Sequence, residues 1–258
     1  MPVGKVFLGL VVVLIILYGI NVFLTAQMIA PIKSSAESNR PANLHLTLIA
    51  NDCENCYDMN NVVSFIKRQN VNIIQERILQ YSDKEAQELM SENDIDSLPA
   101  LIVTGETFKE SISSLWDALG VQSDNGVVVV SGYPPYYSLD EQKVVGLVEV
   151  IRLIDNSCAE CYDVETHMQI LPRFGVYVDK SLTYDISSGK GKELIQKYNI
   201  TKVPTTILSP DADVYSSLTQ IWDQVGTVED DGWYVFRAVE QMGTYKDLAG
   251  NKIVNATR

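Results

Sequence analysis

The chain has 258 residues and 46% apolar content, enough for one large core or two ordinary ones, and nothing marks it as disordered or fibrous. Thirty-three acidic against twenty basic side chains give a formal charge of −13, which repels phosphate backbones and leaves no basic patch for nucleic acid. Two domains of about 100 residues are the natural expectation.

The first predicted element runs from Val6 to Ala26. It is almost continuously apolar, broken by Asn21 and Thr25, and long enough to cross about 30 Å of hydrocarbon as a helix. Lys5 flanks it, and its length exceeds the apolar core of a cleaved signal peptide, so residues 1–30 are expected to form an uncleaved single-pass anchor. Residues 31–42, with Ser34, Ser35, Ser38 and Pro41, then read as a flexible spacer. Lys33 and Arg40 nearly balance the charge before the span, so flanking charge leaves orientation open. The four cysteines, all confined to two Cys-x-x-Cys pairs, suit an oxidising compartment, so the remaining chain is expected outside the cytoplasm, at the cell membrane.

Further on, the chain repeats itself. Cys53-Glu54-Asn55-Cys56-Tyr57-Asp58 returns as Cys158-Ala159-Glu160-Cys161-Tyr162-Asp163 at an offset of 105 residues. The same offset carries Leu89 onto Leu194, Ile95 onto Ile200, Leu98 onto Val203 and Pro99 onto Pro204 without a gap. Each copy predicts an apolar strand (Leu44 to Ile49; Val148 to Ile154), a Cys-x-x-Cys pair opening a helix, then strand, helix, and a Pro heading another strand. Ser82 with Glu85 resembles a capping box for the second helix of the first copy.

Downstream, Phe108, Ile112, Leu115, Trp116 and Leu119 draw one helical apolar stripe, matched by Val214, Leu218, Ile221, Trp222 and Val225. The shared Trp reads as core. Asn125-Gly126 and Asp231-Gly232 signal turns into the strand-like runs Val127 to Val130 and Trp233 to Phe236. Tyr136 to Val145 and Tyr245 to Val254 look like hairpins. The pattern predicts an α/β fold in two domains, 43–145 and 146–258.

All four cysteines belong to the two pairs. Residues three apart on a helix share a face at a separation that suits a disulfide. The first Cys of each pair, at a helix amino terminus, sits where free N–H groups and the macrodipole favour a thiolate. Cys53 and Cys158 are therefore the expected nucleophiles, with Cys56 and Cys161 resolving the mixed disulfide. Asp52 and Glu54 flank Cys53, whereas Ser157 and Ala159 flank Cys158, so Cys158 is expected to be the more acidic and faster thiol. Asp58 and Asp163 read equally as solvated residues or as buried proton relays.

A strand running into Cys-x-x-Cys, followed 43 residues after the second Cys by a Pro at the head of a strand, resembles the thioredoxin fold. Tyr198-Asn199-Ile200-Thr201-Lys202-Val203-Pro204-Thr205 is especially similar to the segment bearing that family's cis-proline. Two such units in tandem resemble the protein disulfide oxidoreductases and protein disulfide isomerases. The resemblance implies that Pro99 and Pro204 face the sulfurs. It also implies that the backbones of Leu98 and Val203 pair with an extended substrate segment, and that the partners are thiol or disulfide proteins and a recharging redox partner. No cofactor is implied. The chain departs from the family in lacking a Trp before the first Cys, and in having hairpins where a terminal helix is usual.

Rival readings remain. Two Cys-x-x-Cys pairs can build a four-sulfur zinc site, but 101 residues separate these pairs, and His45 and His167 keep no obvious spacing with either. A redox-silent binding module is the other alternative.

Overall fold

The computed structural model describes residues 14–25, 37 and 39–255. Residues 14–25 form a helix, α1, with every side chain exposed, Leu14, Ile15 and Phe23 among them. Among the described residues no helix is long and apolar enough to cross a membrane. The rest of the expected anchor, and nearly all of the expected spacer up to residue 38, lie outside the described residues, so the fold lends the single-pass span no support.

The chain divides into two compact units. The first takes the chain to Leu48 together with Asn60–Ile78 and Leu101–Val130; the second takes Ile49–Met59, Leu79–Ala100 and Ser131–Arg258. Both cysteine pairs and both Pro-led turns therefore lie in the second unit.

A five-stranded sheet has the order β2-β1-β4-β6-β5, with β1 Ala42–Ala50, β2 Val71–Gln80, β4 Ala100–Gly105, β5 Ser123–Asp124 and β6 Val127–Val130. Ala42 N–H donates to Asn70 O at the start of β1, and Tyr81 N–H donates to Ala50 O at its end. The two strands thus run in the same direction, and a helix, α2 (Asn60–Lys67), connects them. Leu44 and Leu46 of β1 are buried, as are Val62, Val63 and Ile66 of α2. Helix α4 (Ser113–Leu119) follows the predicted stripe in part: Ile112, Leu115 and Trp116 are buried, but Phe108 precedes the helix and is 68% exposed.

The second unit repeats the plan. Its five-stranded sheet has the order β10-β9-β12-β14-β13, with β9 Val148–Ile154, β10 Val178–Asp185, β12 Thr205–Leu208, β13 Gly226–Val228 and β14 Tyr234–Phe236. Strands β9 and β10 are parallel, while β12 is antiparallel to both β9 and β14. The α/β class expected from the sequence is thus present as a mixed sheet. Adjacent residues turn to opposite faces: Val148, Val150, Leu208 and Tyr234 join Leu171 and Trp222 in one core, while Ile151, Leu153, Ile207 and Val235 join Leu194 and Tyr198 in another. The sheet is covered on both sides, which explains its near-continuous apolar strands.

Helix α6 (Gly189–Lys197) begins with Ser188 Oγ accepting from Gly191 N–H at 3.0 Å, a formed N-cap. The box expected at Ser82 and Glu85 does not form. Helix α3 (Lys84–Glu92) starts after Asp83, whose Oδ2 turns back to accept from Gln80 N–H at 2.8 Å.

Both predicted hairpins are present, each joined to the two residues ahead of a Pro. Strand β3 (Ser97–Leu98) pairs with β7 (Tyr136–Ser138), which pairs with β8 (Lys143–Val145). Strand β11 (Lys202–Val203) pairs with β15 (Tyr245–Asp247), which pairs with β16 (Lys252–Val254).

Candidate active site

Cys53 is joined to Cys56 and Cys158 to Cys161, each pair with its Cα atoms 5.4 Å apart. Neither pair lies on a helix. Helix α2 starts at Asn60, and its shorter counterpart in the second copy, α5 (Thr166–Ile170), starts five residues past Cys161. The pairs occupy turns, closed in the second copy by Cys158 N–H to Asp155 O at 2.9 Å and Cys161 N–H to Cys158 O at 3.3 Å. The cause is local. Tyr57 N–H, one residue past Cys56, donates to Pro135 O at 2.6 Å, and Tyr162 N–H donates to Thr244 O at 2.8 Å. Those amides are committed to the hairpin strands, so the helix opens only after them. The expectation of a thiolate held at a helix terminus is corrected accordingly.

The peptide bonds Leu98–Pro99 and Val203–Pro204 are both cis, as is Pro134–Pro135. Tyr162 brings the second disulfide turn to Pro204, donating its hydroxyl to Pro204 O at 2.8 Å. Leu98 and Val203 are wholly buried. Leu98 is paired with Tyr137 and Val203 with Lys246.

The second site holds two buried titratable groups that sequence reasoning did not assign. Asp155, at the end of β9, accepts from Ser157 N–H at 2.9 Å, Ser157 Oγ at 2.6 Å and Lys246 Nζ at 2.6 Å. Burial works against its ionisation, but the bonds from Lys246 and Ser157 outweigh it and hold the carboxyl below the usual range. His167 is also buried. Its Nδ1 lies 3.0 Å from Thr206 Oγ1 and its Nε2 lies 3.3 Å from Tyr162 Oη. Since Tyr162 spends its hydrogen on Pro204, Nε2 carries the imidazole proton and Nδ1 accepts from Thr206. Burial pushes the imidazole down to about 4 and raises the Tyr162 phenol.

The repeat offers a signal for both: at the 105-residue offset Asp155 stands against Ala50 and His167 against the buried Val62. A polar residue buried where the other copy holds an apolar one marks a supplied partner. Asp58 and Asp163, by contrast, are exposed, and Asp163 Oδ1 accepts from Glu165 N–H at 2.9 Å as an ordinary turn residue. The first site has an aromatic contact instead, Tyr57 stacked on Tyr133 with ring centroids 5.3 Å apart. Cys158 is 8% exposed and Cys53 is half-buried, so access ranks the nucleophiles opposite to their flanking charges. Among the described residues no group of three or more His, Cys, Asp or Glu side chains is placed to hold a metal ion.

No protein-family profile matches the chain, and no curated protein matches it. Among solved structures, it is similar to the NTD_N/C domain of alkylhydroperoxide reductase AhpF from Enterococcus faecalis, at 15% identity over 71% of this chain and 89% of that one, with a TM-score of 0.20. It is similar also to a protein disulfide oxidoreductase from Aeropyrum pernix, at 13% identity over 67% and 78% of the two chains, TM-score 0.19. Human ERp44 follows at 13% identity over 68% of this chain and 46% of that one, TM-score 0.17. Likenesses this slight carry no weight for function; strand order, disulfides and cis-prolines are properties of this chain itself.

Proposed function

We propose that the protein is a thiol-disulfide oxidoreductase with two Cys-x-x-Cys sites. The observation that carries this reading is the recurrence of one arrangement: a closed disulfide turn after the first strand of each copy, with a cis-proline heading the third, and no cysteine used elsewhere. A three-residue loop restrains the unfolded chain little, so two such bridges are poor staples and good couples.

In the reaction, a reduced site attacks a substrate disulfide through the Cys53 or Cys158 thiolate, forming a mixed disulfide and releasing one substrate sulfur as a thiol. Cys56 or Cys161 then displaces the second sulfur and closes the pair, so two electrons and two protons pass to the substrate. A donor dithiol reopens the pair by the same exchange in reverse.

The long apolar run at residues 6–26 and the exposed apolar side chains of α1 support a membrane-attached protein, and the confinement of all four cysteines to two Cys-x-x-Cys pairs supports placing them outside the cytoplasm. A membrane-impermeant thiol reagent, applied to intact cells after reduction, then labels the cysteines; labelling only after lysis refutes that placement. For the chemistry, exchange with a dithiol donor is compared in Cys53→Ser, Cys158→Ser and the double variant. Each single variant loses one site, and full activity in the double variant refutes the enzyme reading.

A further inference from the structure

The two hairpins occupy the backbone beside each disulfide that an incoming extended chain would need. Leu139 N–H donates to Asp96 O at 2.9 Å, and the register runs on to Leu98 opposite Tyr137. In an antiparallel ladder, hydrogen-bonded pairs alternate with non-bonded ones, so Leu98 and Tyr137, two steps along, exchange both of their backbone bonds. In the second copy, Leu248 N–H donates to Thr201 O at 2.8 Å, and Val203 opposite Lys246 is in the same way a fully bonded pair. The N–H and C=O ahead of each cis-proline are thus spent within the chain.

The other end of each strand is fastened too. The residue just before β7 binds Tyr57 N–H through Pro135 O, and the residue just before β15 binds Tyr162 N–H through Thr244 O. In the second copy Lys246 also reaches Asp155, three residues before Cys158. Each strand therefore spans from the residue after the second Cys to the residue ahead of the cis-proline, which is the track strand addition would use.

We infer that the docked hairpins set the substrate class of both sites: low-molecular-mass disulfides and thiols, which need no backbone ladder, and not extended polypeptide segments. This rests on the oxidoreductase reading and sharpens it. The exchange is the one already balanced above, with dithiothreitol as the electron donor and the small disulfide as the acceptor.

The test uses the full chain carrying Cys158→Ser and Cys161→Ser, so that only the first site reports. Turnover is followed with bis(2-hydroxyethyl) disulfide and with an extended ten-residue peptide carrying a mixed disulfide at its centre. The small disulfide is expected to turn over and the peptide to lag by roughly tenfold or more, the equivalent of one or two unmade backbone bonds. Tyr137→Pro, which removes the N–H given to Leu98 O and so leaves that carbonyl open to an incoming chain, is expected to speed the peptide alone. Equal turnover of both substrates before that substitution overturns the inference while leaving the oxidoreductase reading intact. Absence of turnover with either substrate overturns both. If Tyr137→Pro does not fold, the comparison of the two substrates still decides.

Discussion

Lys246 Nζ lies 2.6 Å from Oδ2 of Asp155, a carboxylate whose side chain is 5% exposed. Lys246 belongs to β15 and Asp155 directly follows β9, so one ion pair ties the hairpin to the turn that holds Cys158. Lys246→Met strands a buried carboxylate and is expected to cost about 2 kcal/mol, in the range for hydrogen bonds to charged groups. Because the folded Asp155 titrates below its ordinary value of 3.8, its contribution is complete above that pH and fades as pH falls through the lowered value. Urea unfolding at pH 7 and pH 3 measures both; an undiminished gap at the lower pH contradicts the assignment.

His167 gives the opposite charge case with the same direction in pH. Its imidazole titrates near 4 when folded against 6.5 when unfolded, so the unfolded chain takes up the extra proton first. Stability is therefore full above about pH 6.5 and declines toward pH 4, by an upper bound of about 3 kcal/mol. His167→Gln keeps polar partners for Thr206 and Tyr162 but does not titrate. Its unfolding free energy is expected to lack that decline, and a matching slope in both proteins rules the histidine out as the cause.

The disulfide turns predict reducing couples. With the pairs ahead of their helices, the thiolate lacks the helix-terminal support that makes a strong oxidant, and both potentials are expected nearer about −270 mV than −120 mV. Cys53 is more exposed than Cys158, so the first pair is also expected to open first when dithiothreitol is added. Redox titration with mass spectrometry of each pair reads both quantities. A potential near −120 mV at either pair would show thiolate stabilisation from another source.

The two tryptophans of the repeated helical stripe serve the cores unequally. Trp116 Nε1 donates to Thr107 O at 2.8 Å, a site with Thr107 1% exposed, whereas Trp222 Nε1 donates to Thr227 O at 3.1 Å, where Thr227 is exposed. Trp116→Phe leaves an unmet buried carbonyl and is expected to cost about 1–3 kcal/mol beyond the lost packing; water replaces the bond in Trp222→Phe. Thermal unfolding of the two variants should rank them in that order.

The repeat, the succession of elements along the chain and the hairpins were legible because they depend on apolar periodicity and turn residues, which are local. Asn125-Gly126 carries positive φ at both residues, and Asp94 and its 105-residue counterpart Asn199 do so alike. What the sequence hid was long-range. Nothing near Cys56 foretells that Pro135, 78 residues on from Tyr57, would take the Tyr57 amide and hold the helix back to Asn60. The Asp155–Lys246 pair spans 91 residues in the same way. Phe108 fitted the helical period yet lies outside the helix, since period alone does not fix where a helix begins.

Both hairpins meet their partner strands in one register: Leu98 opposite Tyr137 and Ser97 opposite Ser138 in the first copy, Val203 opposite Lys246 and Lys202 opposite Asp247 in the second. Their return turns also share a positive φ, at Gln142 and at Asn251, 109 residues apart. Two independent additions would have had to strike the same alignment twice, while a single gene doubling yields it at once. The shared register and turn make the hairpin part of the repeated unit itself, and Asp155, Lys246 and His167 are where the two copies of that unit differ.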